Sequence, residues 1–256
     1  LSLHDALPIY LMGQKAQLPL YQLLGGYDNQ VITDITLGID EPNVMAQKAV
    51  EKVKLGFDTL KIKVGTGIEA DIARVKAIRE AVGFDIKLRL DANQAWTPKD
   101  AVKAIQELAD YQIELVEQPV KRCDLEGLKY VTSQVNTTIM ADESCFDAQD
   151  ALELVKKGTV DVINIKLMKC GGIHEALKIN QICETAGIEC MIGCMAEETT
   201  IGITAAAHLA AAQKNITRAD LDATFGLETA PVTGGVSLEA KPLLELGEAA
   251  GLGISH

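Results

Sequence analysis

The chain has 256 residues, with 36 acidic and 24 basic side chains, a formal net charge of −12, and 48% hydrophobic residues. That length allows one barrel-sized domain with a substantial core. The negative charge argues against a nucleic-acid or membrane-surface partner, since both present negative charge of their own, and no apolar run approaches the ~20 residues needed to span a bilayer.

The first ten residues do not fit a helix, because Pro8 would cost ~3 kcal/mol in a helix interior. The stretch QKAQLPLYQLLGG that follows reads as a helix end with its glycine stop. Strands are expected at 34–39 (DITLGI), 59–64 (TLKIKV), 86–91 (IKLRLD), 114–118 (ELVEQ), 138–143 (TIMADE), 162–167 (VINIKL), 189–194 (ECMIGC) and 217–222 (TRADLD). Between them, segments such as NVMAQKAVEKVKLG and IHEALKINQICETAG carry apolar residues at helical spacing, and Gly56 and Gly187 follow as stop signals. This alternation predicts an α/β fold, a TIM-like (β/α)7β barrel over residues 31–225. Residues 226–256 are turn-rich and are expected to pack on the barrel or on a neighbouring domain.

Cys123, Cys145, Cys170, Cys183, Cys190 and Cys194 lack paired metal-finger spacing, and most lie in apolar stretches, so reduced thiols are expected. The opening LSLHDALPI lacks the basic end of a secretory leader and carries His4 and Asp5. A cytoplasmic protein is the expectation.

Chemically loaded residues recur at nearly one interval. Lys63, Asp91, Glu117, Asp142 and Lys166 each close a short apolar run, and the gaps between them are 28, 26, 25 and 24 residues. That is the length of one β/α unit. Strand ends in such a barrel converge on one rim, where its active sites lie.

Three carboxylates meeting there, Asp91, Glu117 and Asp142, would repel one another unless a cation neutralised them. All-oxygen ligation selects a hard ion such as Mg²⁺. In KIK, period-two geometry turns Lys61 and Lys63 to one face. Lys166 holds the matching place four strands further round, so two lysines approach from opposite sides. That layout suits removal of a proton from a carbon next to a carboxylate, with a lysine as base and a metal stabilising the charge that develops. Asp220 and Asp222, also two apart, aim two carboxylates at the same place, so the substrate should bring a cation.

KIK at 61–63, DANQAWT at 91–97, VEQPV at 116–120, ADES at 141–144, INIKLMKCGGI at 163–173 and GLGI at 251–254 together resemble the enolase superfamily, in the branch of muconate-lactonising enzymes and dipeptide epimerases. Its sites pair a Lys or His base with Mg²⁺. The resemblance implies that Asp91, Glu117 and Asp142 hold one Mg²⁺, that Lys63 and Lys166 are the acid/base pair, and that Lys61 contacts the substrate carboxylate, with Glu143 behind the metal ligands. It also implies that Asp220 and Asp222 hold the α-ammonium of a dipeptide, and that Thr36 and Cys194 touch the substrate. Substrates like L-Ala-D/L-Glu are the implied class. ECMIGCM has no histidine, which disfavours the mandelate-racemase-like branch, and His208 in AAAHLAA reads as a packed helix residue.

Residues 1–30 would then be the remnant of an N-terminal α+β capping domain, with residues 1–10 atypical and a partial reading frame expected. Relatives often form rings of subunits, but no oligomeric state is fixed by the sequence. Muconate cycloisomerase, N-acylamino-acid racemase and o-succinylbenzoate synthase use the same lysines and metal without needing Asp220 and Asp222. A metal-binding fragment without activity is the alternative of another class.

Overall fold

The computed structural model describes residues 3–196, 198–230, 232–237 and 239–255. Helices α1 (Leu3–Ala16) and α2 (Leu20–Leu23) precede strands β1 (Gln30–Ile32) and β2 (Ile35–Leu37). Then α3 (Pro42–Lys54), β3 (Thr59–Lys63), α4 (Ile68–Val82), β4 (Lys87–Asp91), α5 (Pro98–Glu107), β5 (Ile113–Glu117), α6 (Leu125–Gln134), β6 (Thr138–Ala141) and α7 (Ala148–Lys157) alternate. They continue as β7 (Val162–Lys166), a short α8 (Leu167–Cys170), α9 (Ile173–Ala186), β8 (Glu189–Gly193), α10 (Thr200–Ala212) and β9 (Ile216–Asp220). Short strands β10 (Thr233–Gly234), β11 (Leu243–Glu245) and β12 (Ile254–Ser255) end the chain. Among the described residues β2 to β9 form one eight-stranded sheet in sequence order. This is the (β/α)7β succession expected. No described helix is long and apolar enough to cross a membrane.

Local chemistry sets the helix starts. Thr97 caps α5 by accepting from the Asp100 N–H at 3.3 Å, with Pro98 at the first helical position, where a missing N–H costs nothing. Asp124 caps α6 in the same way through the Gly127 N–H at 2.8 Å.

The backbone divides into two compact units. One comprises residues 34–145 and 149–163 and holds β2 to β6 with α3 to α7. Leu60, Ile62, Leu88, Leu90, Leu115 and Ile139 are fully buried there, as expected of strands covered on both faces. The other unit comprises residues 1–33, 146–148 and 164–256. Its α10 is buried nearly all round, which an alanine-rich sequence permits. The tail joins the N-terminal helices within this unit: Leu20 N–H donates to Gly251 O at 2.8 Å, Gly251 N–H donates to Leu18 O at 2.9 Å, and β11 pairs with β1.

Residues 3–10 are helical, contrary to the expectation from Pro8. A proline forfeits one rung of the ladder, and the remaining turns of α1 continue past it. Several expected strands end early. Asp142 lies beyond β6 because its N–H donates to the Gln118 side-chain carbonyl at 3.0 Å; Asp222 lies beyond β9, where a 3₁₀ turn begins at Ala223.

Candidate active site

In β3 the alternation of KIK sends Ile62 into the packed face and both lysines to the other. Lys61 is 2% exposed. Its Nζ lies 2.7 Å from Glu117 Oε2 and 3.1 Å from Asp91 Oδ2. Lys63 stands two residues nearer the strand end and keeps about a third of its side chain in solvent. It donates to Asp91 Oδ2 at 2.7 Å and to Asn93 Oδ1 at 2.8 Å.

Strand register explains the cluster. Lys63 pairs with Asp91, and Asp91 with Glu117, so three successive strands bring these residues to one level. Thr36 pairs with Lys61 on the neighbouring strand. Asp91, Glu117 and Asp142 are all buried. Burial alone would raise the Asp91 pKa, but Lys61 and Lys63 beside it outweigh that and hold it below the usual carboxylate value, with the Asp142 charge opposing them.

The loops that carry the acids are tied to one another. Ala92 N–H donates to Glu117 O, Gln94 N–H to Gln118 O and Trp96 N–H to Pro119 O. The Gln118 amide accepts from the Asp142 and Ser144 N–H groups and donates to Ser144 Oγ and Val120 O. Gln118 is fully buried and has φ +37°. A short left-handed turn thus lets one side chain fix the next loop.

Three buried carboxylates stand at or just beyond consecutive strand ends with no nitrogen or sulfur donor among them, the donor type a hard divalent cation takes, although their ligand atoms do not all lie within 4.8 Å of one another. Lys61, between Asp91 and Glu117, supplies positive charge at the same place.

The second unit contributes a separate set. Lys166 ends β7 and is buried. Gly193, at the end of β8, leaves room for it, since a Cβ there would lie 3.0 Å from Lys166 Cε and 2.6 Å from Asn164 Oδ1. Cys194, Asp220 and Asp222 bring their ligand atoms within 4.8 Å of one another, the one such group found among the described residues. The thiol donates to Asp222 Oδ1 at 3.8 Å. Burial first, then Asp220 and Asp222, push the Cys194 pKa up, so the sulfur stays protonated and is a poor metal ligand. Two carboxylates beside a neutral thiol suit an ammonium better.

Near Lys166 lies Glu198, which no motif singled out. It is buried, accepts from the Met195 N–H at 3.1 Å, and has its pKa raised by burial, with Lys166 acting in the opposite sense. Gly202 makes the space for its carboxylate. Sequence reading also missed Asn93 and Gln118; both lay inside quoted motifs, yet their roles depend on loop geometry. His208 is the packed residue expected: its Nδ1 accepts from the Tyr21 N–H at 3.1 Å, and burial lowers its pKa to about 4.

The enolase C-terminal domain-like family profile matches residues 44–256. The chain belongs to this family, within the enolase superfamily. It is 99% identical over 246 residues to a hydrophobic dipeptide epimerase of Enterococcus faecalis, covering 96% of this chain and 70% of that protein. It is 52% identical over 244 residues to an L-Ala-D/L-Glu epimerase of Bacillus subtilis, covering 94% of this chain and 66% of that one. Among solved structures, an E. faecalis V583 dipeptide epimerase complexed with Mg and the dipeptide L-Leu-L-Tyr matches with TM-score 0.99 and 96% identity, over 100% of this chain and 72% of its own. A substrate-liganded B. subtilis L-Ala-D/L-Glu epimerase matches with TM-score 0.95 and 49% identity, over 99% and 71%. These neighbours share the TIM-barrel fold read from the strand order.

Proposed function

We propose that this chain carries the catalytic barrel of a Mg²⁺-dependent dipeptide epimerase, with hydrophobic dipeptides as the preferred class. The observation that carries the reading is the Asp220, Asp222 and Cys194 set, an acceptor site for an ammonium, in a chain whose other strand ends supply paired lysines and buried acids. The names of the similar epimerases support the reaction and the metal, and the 99% identical relative supports the hydrophobic preference.

Asp91, Glu117 and Asp142 would hold the ion. When bound, Mg²⁺ supplies positive charge that offsets the negative charge developing on the substrate carboxylate. Lys63 takes the α-proton of the C-terminal residue on one face, and the bonding electron pair moves into the carboxylate as an enediolate. Lys166 delivers a proton to the other face, and the configuration inverts. In the reverse direction the two exchange roles. Lys61, buried and already cationic beside Asp91 and Glu117, stabilises the same negative charge without moving. Thr36, in register with Lys61, and Cys194 line the substrate. Asp220 and Asp222 hold the α-ammonium, which fixes the reacting carbon between the lysines. Free dipeptides and six cysteines outside any disulfide accord with a cytoplasmic setting.

The test is incorporation of solvent deuterium at the α-carbon of L-Leu-L-Tyr with Mg²⁺ supplied. Incorporation together with the epimeric product is expected. Absence of exchange with every free dipeptide, alongside turnover of N-acylated amino acids, overturns the substrate assignment.

A further inference from the structure

Lys63 is held at two points. Its Nζ donates to Asp91 Oδ2 at 2.7 Å and to Asn93 Oδ1 at 2.8 Å. Asn93 is fixed in turn. Its Nδ2 donates to Glu143 Oε1 at 3.1 Å, its backbone N–H donates to Asp91 Oδ1 at 3.0 Å, and its φ is +41°. Asparagine tolerates that left-handed conformation better than most residues. Because a carboxylate can only accept, Glu143 orients the Asn93 amide and leaves its carbonyl oxygen towards Lys63. Gln94, also left-handed at φ +70°, pins the loop by donating its N–H to Gln118 O at 2.8 Å.

This geometry matters for a lysine acting as a base. A neutral amine has two N–H groups and one lone pair. With both N–H groups spent on Asp91 and Asn93, the lone pair is confined to the remaining tetrahedral direction. Asp91 alone would leave the amine turning about a single contact, and the lone pair would sweep a cone.

We propose that Asn93, oriented by Glu143, is a positioning residue that aims the Lys63 lone pair at the substrate α-carbon. The inference rests on the reading of Lys63 as one of the two bases. Asn93 exchanges no proton itself; the proton passes from the α-carbon to Lys63 Nζ while the electron pair stays with the substrate.

The variant Asn93→Gly removes the amide, keeps the backbone N–H to Asp91, and suits a positive φ, so it deletes the aim without straining the loop. Each epimer of Leu-Tyr, inverted at the C-terminal residue, is incubated separately in deuterated water with Mg²⁺, and α-proton loss is followed beside inversion. Lys63→Ala serves as comparator. In the comparator, exchange from the epimer that Lys63 deprotonates is lost, while the other epimer still exchanges through Lys166 without inverting. Asn93→Gly is expected to reproduce that asymmetry in milder form, with exchange from the Lys63 epimer down about tenfold to a hundredfold, the cost of a misaimed group. Its Mg²⁺ affinity by calorimetry stays at the wild-type level, since Asp91 keeps the backbone N–H of residue 93. A crystal structure of the variant is expected to show Lys63 Nζ displaced and Asp91, Glu117 and Asp142 in place. Equal loss of exchange from both epimers, or exchange at the wild-type rate from both, overturns the inference. If Lys63→Ala itself shows no asymmetry, the assignment of Lys63 as a base fails first, and the inference with it.

Discussion

Lys61 and Glu117 meet at 2.7 Å with both side chains almost wholly out of water. An ion pair so placed gains from a low local dielectric and depends on both partners remaining. Replacing Lys61 with methionine leaves Glu117 and Asp91 without that buried cation. The metal-free Lys61→Met protein should lose about 3–5 kcal/mol of stability, read from urea unfolding. Saturating Mg²⁺ should restore part of it, because an ion that binds only the folded state stabilises it. Equal urea midpoints for Lys61→Met and wild type would mean that the pair carries no such weight.

The Asp220 and Asp222 carboxylates should decide between a substrate with a free amino group and one without. Changing both to asparagine removes the charge complement of an ammonium that is largely desolvated when bound. A loss of about 2–5 kcal/mol is expected. In kinetic terms kcat/KM for L-Leu-L-Tyr should fall at least about thirtyfold, whereas kcat/KM for the N-acetylated dipeptide, which brings no ammonium, should stay at its wild-type value. Parallel losses on both compounds would assign the aspartates to the frame of the loop.

Gly193 gives a test of Lys166. A Cβ there would sit 2.6 Å from Asn164 Oδ1 and 3.0 Å from Lys166 Cε, so Gly193→Ala must move one of them. Such overpacking costs about 1–3 kcal/mol. Exchange from the epimer served by Lys166 should suffer more than exchange from the other, the mirror of the Lys63 variants. An alanine variant with both exchanges intact would show that the lysine stem has slack.

His208 predicts an acid-labile fold. Burial lowers its folded-state pKa to about 4 from an ordinary 6.5, so the folded form resists a proton that the unfolded chain accepts. Its contribution is therefore complete above pH 6.5, falls as the pH drops towards 4, and is lost below that. The full span corresponds to roughly 3 kcal/mol. His208→Gln should flatten the pH dependence of the unfolding free energy between those limits. A variant with the wild-type slope would place the acid sensitivity elsewhere.

Much of this site was legible in the sequence because strands obey period two and because β/α units repeat at a near-constant length. Lys63, Asp91 and Glu117 could be placed at strand ends from those facts alone, and register puts them at one level. Asp142 and Asp222 read as strand residues in the sequence, yet the strands stop one and two residues short of them, since a strand's end is set by which hydrogen bonds the next loop offers. Asn93 and Gln118 were invisible for a related reason: their contacts follow from left-handed backbone turns at φ +41° and +37°, and a residue's tolerance of such a turn, as at Asn93, does not show that one occurs. Glu198 escaped because its burial comes from the space left by Gly202, four residues on and in no motif. The helix through Pro8 shows the converse error, a local penalty taken as decisive where the rest of α1 outweighs it.

The proposed reaction needs two lysines serving opposite faces of one carbon. Its most direct test follows α-proton exchange from each epimer of a single dipeptide, in deuterated water with Mg²⁺, for wild type, Lys63→Ala and Lys166→Ala. Wild type should exchange and invert both epimers, and each variant should stop inverting while still exchanging one epimer, a different one in each case. Exchange of the same epimer in both variants, or inversion surviving the loss of either lysine, would contradict it.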